Sequence, residues 1–469
     1  MTKFVLVFLI FCFIVAIGLF IQKLLGLKKG FLRKLIIQKM VNNPSFSTVV
    51  AEDFSNYLLK VKPSERKYIL RYLEAKNFKK MIAKIKNKEI KRLLELVLFE
   101  KEEKKENDSD AYELIKAFIA IRKRQEEKAS IILAAQKSNR DKKIKALQHL
   151  LTAELSLSAG DLQTVADEIS ICLKIFKNKN MLFEEARAYF ILGTAYRISG
   201  IYDTADFMLR SALMLYKELK CFEKMAETYG TLGMLMAVQE RFEEADSFYQ
   251  KALEILKGCD SQEIKFFIIS QQALMLLYKK DYKTAEKLAQ KAYNKQKSVA
   301  GKAFASEILA YISCATKKWK KQLEFALQAE NLYLKDKNYA AAFESKYLSA
   351  EALVNKEDLS SAETTLRDLI EKEKTHKTCF HIANAITLLG LVLLQKNDIK
   401  GAKTIFNQAL KQELYNERDI GAAIDYINLA VVAKKCGDKS ETRKNLEKAL
   451  IYSKDIDENL YQKIRAALN

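Results

Sequence analysis

Residues 226–257 read AETYGTLGMLMAVQERFEEADSFYQKALEILK, with apolar positions recurring at three- and four-residue steps on either side of a polar interruption. That period predicts two helices, each burying one stripe. The first carries Tyr229, Leu232, Gly233 and Met236, and the second Ala245, Tyr249 and Ala252; Gln239, Glu240 and Arg241 form the turn between them. Small residues at Gly233, Ala245 and Ala252 allow close approach of neighbouring helices. A single hairpin of this size cannot bury its stripe alone and must stack on others.

The pattern recurs. Steps of 40 residues through Gly233 meet Ala153, Gly193 and Ala273, then Ala310 after a step of 37, then Ala350, Gly390 and Ala430. On the second helices the matching column is Val165, Ala205, Ala245, Ala285, Gln322, Ala362, Ala402 and Thr442. Seven residues further on come Cys172, Ala212, Ala252, Ala292, Ala329, Leu369, Ala409 and Ala449. Directly after the turn a bulky residue recurs as Leu162, Tyr202, Phe242, Tyr282, Trp319, Leu359 and Ile399, with Lys439 as the exception. Columns that hold register over eight hairpins predict a helical repeat array.

The spacing of Leu192, Gly193, Tyr196, Ala205, Leu209 and Ala212, and again of Leu389, Gly390, Leu393, Ala402, Phe406 and Ala409, resembles the tetratricopeptide repeat (TPR). That motif usually runs about 34 residues; this array is similar to its longer 40-residue version, without the terminal proline and most first-helix tryptophans. The resemblance implies an all-α fold, a right-handed TPR-type α-solenoid of about eight helical hairpins over residues 146–454. It also implies a concave groove lined by first helices. Carried over position by position, the protein-binding lining is Phe190, Arg197, Met234, Phe267, Leu274, Phe304, Glu307, Tyr311, Tyr347, Glu351 and Leu391. Aromatics on such a surface suit protein partners, and Glu307, Glu344 and Glu351 add a negative rim that favours Lys or Arg on the partner. Where TPR co-chaperones clamp a terminal carboxylate, this chain has Phe190/Thr194, Gly230/Met234 and Ser270/Leu274, which cannot hold one.

The amino-terminal part departs from this pattern. Residues 4–21 are 18 consecutive apolar residues without a charge, about 27 Å of helix, close to the thickness of a bilayer core. The run is longer than a signal-peptide core and lacks a small-residue cleavage site. Residues 1–27 are therefore expected to be an uncleaved transmembrane helix, single-pass in the cell (inner) membrane.

Charge adds a second feature. The 469 residues carry a net +21, and residues 23–90 hold 17 Lys or Arg against five Asp or Glu. This basic segment is expected to meet an anionic phospholipid surface, with a merely solvated lysine-rich surface as the alternative. No nucleic-acid motif accompanies the charge. The positive-inside rule puts the array in the cytoplasm, and seven cysteines without paired spacing agree with a reducing compartment.

Further divisions follow from punctuation. Pro44, Pro63, Asn42 and Asn43 mark residues 41–64 as a break, and residues 67–100 read as helix within a basic juxtamembrane region, 28–107. Residues 101–110 are a charged loop, 108–145 a helical cap, and 455–469 a closing helix with Leu460, Ile464 and Leu468 turned to the last hairpin.

Candidate chemistry is sparse. His376, Cys379 and His381 are the one cluster of ligand-type side chains, short of a fourth ligand. Cys172 and Cys314 share their hairpins with no histidine and read as packing residues. No phosphate-binding or metalloprotease motif occurs. The expectation is a non-enzymatic scaffold or adaptor without cofactor or metal. In architecture and composition the chain also resembles the membrane-anchored TPR proteins of the spirochaete periplasmic flagellar collar, which implies a periplasmic array and a part in flagellar assembly and motility. The competing expectation is an assembly or secretion factor tethered to the cytoplasmic face.

Overall fold

The computed structural model describes residues 36, 48–61, single positions between 65 and 73, 77–99, 110–135, 141–259, 261–376, 382–415, 419–454 and 457–468. Among these, every regular element is an α-helix. None is long and apolar enough to cross a membrane, and the apolar run at 4–21 lies outside the described residues. The chain divides into two compact units, residues 1–264 and 265–469.

Unit 1 begins with α1 (Thr48–Lys60), α2 (Phe78–Ala83) and α3 (Lys88–Phe99). Helix α1 corrects the expected break at 41–64. Val50, Phe54 and Leu58 recur every four residues and are fully buried, so the stripe decides and the prolines flank the helix. The Arg66 guanidinium donates to the Leu59 and Val61 carbonyls at 3.0 and 2.9 Å, covering the end of α1. The single helix expected over 67–100 is likewise divided, at 84–87. Asn77 and Asn87 accept from the backbone N–H of Lys80 and Ile90, three residues on, and start α2 and α3 separately.

The apolar stripes of α1 to α3 share a core with Phe183, Ala186, Ala212, Leu215 and Tyr216. Their lysines Lys79, Lys80, Lys84, Lys86 and Lys88 stay exposed. Helices α4 (Asp110–Arg122) and α5 (Glu126–Ala135) pair and pack through Leu114, Ala117 and Leu133 on the first hairpin. Arg187 ties this end together: Nε and Nη2 donate to the two Glu154 oxygens at 2.6 Å, and the guanidinium lies 4.1 Å above the Phe118 ring.

Three hairpins complete the unit: α6 (Lys142–Ala159) with α7 (Leu162–Asn178), α8 (Leu182–Ile198) with α9 (Tyr202–Glu218), and α10 (Phe222–Val238) with α11 (Phe242–Leu256). Unit 2, with only the start of its first helix outside, continues with α12 (Gln262–Tyr278) and α13 (Tyr282–Lys295), α14 (Val299–Ala315) and α15 (Trp319–Lys335), and α16 (Tyr339–Asn355) and α17 (Leu359–His376). It ends with α18 (Ile382–Gln395) and α19 (Ile399–Tyr415), α20 (Asp419–Lys435) and α21 (Lys439–Ser453), then α22 (Glu458–Leu468). The expected eight hairpins are all present. Ile464 of α22 is buried, with Leu460 and Leu468 partly so, in the core shared by α18 to α21.

Each recurring bulky residue, from Leu162 to Ile399, is the first residue of a second helix. The small columns are buried, apart from half-buried Thr442, and they pack within hairpins: a β-carbon on Gly193, Gly233 or Gly390 would lie 2.8, 2.6 or 2.5 Å from Leu209, Tyr249 or Phe406. Every hairpin turns through one residue of positive φ, in order Gly160, Gly200, Glu240, Lys280, Lys317, Glu357, Asn397 and Gly437. Asp161, Asp281, Asp358, Asp398 and Asp438 then cap the second helix by accepting from the N–H three residues on, at 2.9–3.2 Å. The step of 37 has a local cause. Helix α13, at 14 residues, is the shortest of the eight second helices, four of which have 17, and extended Gln296 is followed after one residue by Ser298, which caps α14.

Candidate partner-binding groove

On a first helix, positions −6, −3, +1 and +4 from the small residue lie beside one another, because they differ by three or four residues. In α14 these are Phe304, Glu307, Tyr311 and Cys314, and in α16 Glu344, Tyr347, Glu351 and Val354; all eight are half-buried. Phe267 of α12, at the same level as Phe304, is 41% exposed. The Phe267 and Phe304 rings meet with centroids 5.2 Å apart and tilted by 33°, a favourable aromatic geometry.

The carboxylates of this face are held by neutral donors. Tyr333 of α15 donates its hydroxyl to Glu307 at 2.7 Å. Tyr311 donates to Glu344 at 2.9 Å. Glu351 accepts from the Cys314 thiol at 3.5 Å and from Gln322 Nε2 at 2.9 Å. Gln322 is fully buried in the small-residue column, and the same nitrogen also donates to the Leu348 carbonyl at 3.2 Å.

Electrostatics follow from burial. Loss of solvent lifts the Glu307 carboxyl from 4.5 to about 7; the Tyr333 hydrogen bond opposes this and the charge on Glu344 adds to it. Burial pushes the Cys314 thiol up to about 11 and the Tyr347 hydroxyl to about 12, each reinforced by Glu351. Tyr311 is raised well above its ordinary range for the same reason. Both tyrosines therefore stay neutral at physiological pH. Near neutrality the face carries negative charge beside aromatic rings.

The expected lining is thus only partly one surface. Phe304, Glu307, Tyr311, Tyr347 and Glu351 are brought together on α14 and α16, with Phe267 against Phe304. Leu391 is half-buried further along unit 2, and Leu274 is only 9% exposed, part of the core rather than an open wall. Phe190, Arg197 and Met234 are half-buried in unit 1. Ile424 and Val431, exposed by 42 and 41%, were missed, although they stand in the columns of Phe304 and Tyr311. Tyr333 and Gln322 were missed because they come from second helices. For Gln322 the signal was a long amide side chain in a column otherwise of Ala, Val and Thr.

Other candidates resolve into structure. Burial raises the Cys172 thiol to about 12, as suits a packing residue. His149 Nδ1 lies 2.5 Å from Glu168, a pair joining α6 and α7. Among the described residues no group of three or more His, Cys, Asp or Glu side chains is placed to hold a metal; Cys379 and His381 lie outside them.

Comparison with known proteins agrees with the fold. Residues 383–414 match the tetratricopeptide repeat family, a span that takes in nearly all of α18 and α19. No curated protein matches the sequence. Among solved structures, a signal-transduction ATPase with a tetratricopeptide repeat sensor from Pyrococcus horikoshii is similar with a TM-score of 0.50 and 13% identity, over 93% of this chain and 74% of that one. The apo quorum sensor NprR from B. thuringiensis has a TM-score of 0.47 at 16% identity, over 72% of this chain and 97% of that one. RapI in its apo form gives 0.46 at 14% identity, over 76 and 98%. The chain therefore carries a tetratricopeptide repeat and shares its helical-hairpin fold with a TPR-containing solved structure.

Proposed function

We propose that this protein is a membrane-tethered scaffold that holds partner proteins on the inner helices of its hairpin array and catalyses no reaction itself. The observation that carries the reading is the face of α14 and α16, where aromatic rings and neutrally held carboxylates stand half-exposed side by side. A purely structural face would have its aromatics covered; rings left partly open beside polar groups are what protein interfaces use. Tethering rests on the apolar run at 4–21, and contact with anionic phospholipid on the basic segment that follows. The exposed lysines of α2 and α3 support the second point, because their helices turn the apolar side inward and leave the charge outside.

Orientation rests on the charge asymmetry alone, which favours the cytoplasmic side. A place in a periplasmic flagellar collar rests on the resemblance in architecture and composition, and would require the opposite orientation. A reporter fused after Asn469 and active on one side only separates the two.

The binding surface has a direct test. Tyr311→Ala combined with Tyr347→Ala removes two anchors, each worth about 2 kcal/mol or more in an interface, while leaving the small-residue columns untouched. The variant is expected to keep its helicity and membrane attachment and to lose partners in pull-downs from the native membrane. Recovery of the same proteins in the same yield places the working surface elsewhere.

A further inference from the structure

Among the described residues many partly buried carboxylates pair with a cation: Glu154 with Arg187, Glu227 with Lys224, Glu330 with Lys346 and Glu363 with Lys396. Glu351 differs. Among the described residues its partners are the Cys314 thiol and the Gln322 amide, both neutral. Gln322 is itself anomalous, being fully buried at a position that is Ala in most hairpins. Its Nε2 fixes Glu351, while its Oε1 has no hydrogen-bond partner. Tyr347 stands one turn before Glu351 on the same face of α16, and both are half-buried. A half-buried carboxylate held by neutral donors and a half-buried aromatic ring thus stand on one face of α16, and among the described residues no cation pairs with that carboxylate.

Resting on the groove reading above, the geometry points to Glu351 and Tyr347, with the buried Gln322 behind Glu351, as the subsite for an arginine side chain of the partner protein. A guanidinium offers planar N–H donors to a carboxylate and stacks on an aromatic ring. An ammonium lacks the second property, and an acidic or neutral side chain would leave Glu351 without a counter-charge. Gln322 acts here as a positioning residue. It holds the Glu351 carboxylate toward the groove, where an alanine would let it turn to solvent. The Phe267–Phe304 pair on the neighbouring first helices would take an apolar residue of the same segment.

The test uses the full-length chain in lipid nanodiscs and a library of random linear peptides displayed on phage. Wild-type protein is expected to enrich peptides with arginine at one fixed position. Resynthesis with citrulline or lysine there should weaken binding by about tenfold or more, as expected for loss of a charge-assisted bidentate contact. Glu351→Gln, which keeps the shape, should abolish the arginine preference with an unchanged melting temperature. Gln322→Ala, which restores the small residue of the other hairpins, should reduce it without unfolding the protein. Enriched peptides that lack arginine, or that bind equally well with citrulline, overturn the subsite and leave the groove intact. Enrichment insensitive to Tyr311→Ala with Tyr347→Ala, or no enrichment at all, overturns both.

Discussion

A β-carbon placed on Gly233 would lie 2.6 Å from Cε1 of Tyr249, inside any tolerated contact. Tyr249 is fully buried and cannot swing away without disturbing its neighbours. Gly233→Ala is therefore expected to destabilise the protein by about 1–3 kcal/mol, the range for overpacking a dense core. Gly258→Ala is the control, because a β-carbon there meets nothing nearer than 3.9 Å. Thermal melts of the two variants should separate, with only the first falling.

Arg187 is expected to fasten α4 to the first hairpins. Its paired hydrogen bonds to Glu154 and its place over the Phe118 ring need a planar fork, so Lys is no substitute. Arg187→Ala should lose about 1.5–3 kcal/mol, as for hydrogen bonds to a charged group. Hydrogen exchange checks it: protection should fall across α4 and α5 and persist in α10 and α11, since repeat arrays couple mainly through neighbours.

Glu307 should make stability depend on pH near neutrality. Its carboxyl moves from 4.5 to about 7 on folding, so between those values the folded chain holds a proton that the unfolded chain has released. Stability contributed by this group is full below pH 4.5 and falls as pH rises through 7. Glu307→Gln keeps an oxygen for the Tyr333 hydroxyl and removes the ionisation. Denaturant titrations at several pH values should show a flatter profile for the variant, which becomes the more stable protein above neutrality.

Deleting residues 1–27 should release the remainder from the membrane as a folded helical protein. Fractionation followed by circular dichroism tests it. Extraction of the full-length chain by carbonate, or a mature wild-type protein beginning well beyond the apolar run, would contradict the anchor.

How much of this was legible depended on whether a residue's role repeats. The columns through Gly233, Ala245 and Ala252 were readable because each hairpin solves the same packing problem with the same small residues. Even the shortened α13 announced itself as a step of 37. Helix α1 was not readable, since prolines and asparagines on its flanks outweighed the stripe of Val50, Phe54 and Leu58 in a segment without a repeat to confirm it. The groove was visible as a set of positions but not as chemistry. Tyr333 reaching Glu307 and Gln322 reaching Glu351 are contacts between helices, and Leu274 is covered although its counterpart Tyr311 is not. Those outcomes depend on side-chain length and local crowding, which periodicity does not encode.

The left-handed residue at each hairpin turn also bears on how such an array changes in length. Gly160, Gly200 and Glu240 share one backbone conformation and are separated by 40 residues each time. Unequal crossing-over between two adjacent points would remove or duplicate the length of one hairpin and rejoin the chain at a turn of the same hand. The new protein would then inherit its turn ready-made. Glu357, Asn397 and Gly437 offer the same exchange points in the second unit. The interval from Lys280 to Lys317 is 37 residues, and an exchange there carries the truncated α13 with it. Gain or loss in whole blocks would thus preserve the turns of this fold, and the one odd block would stay recognisable by its length.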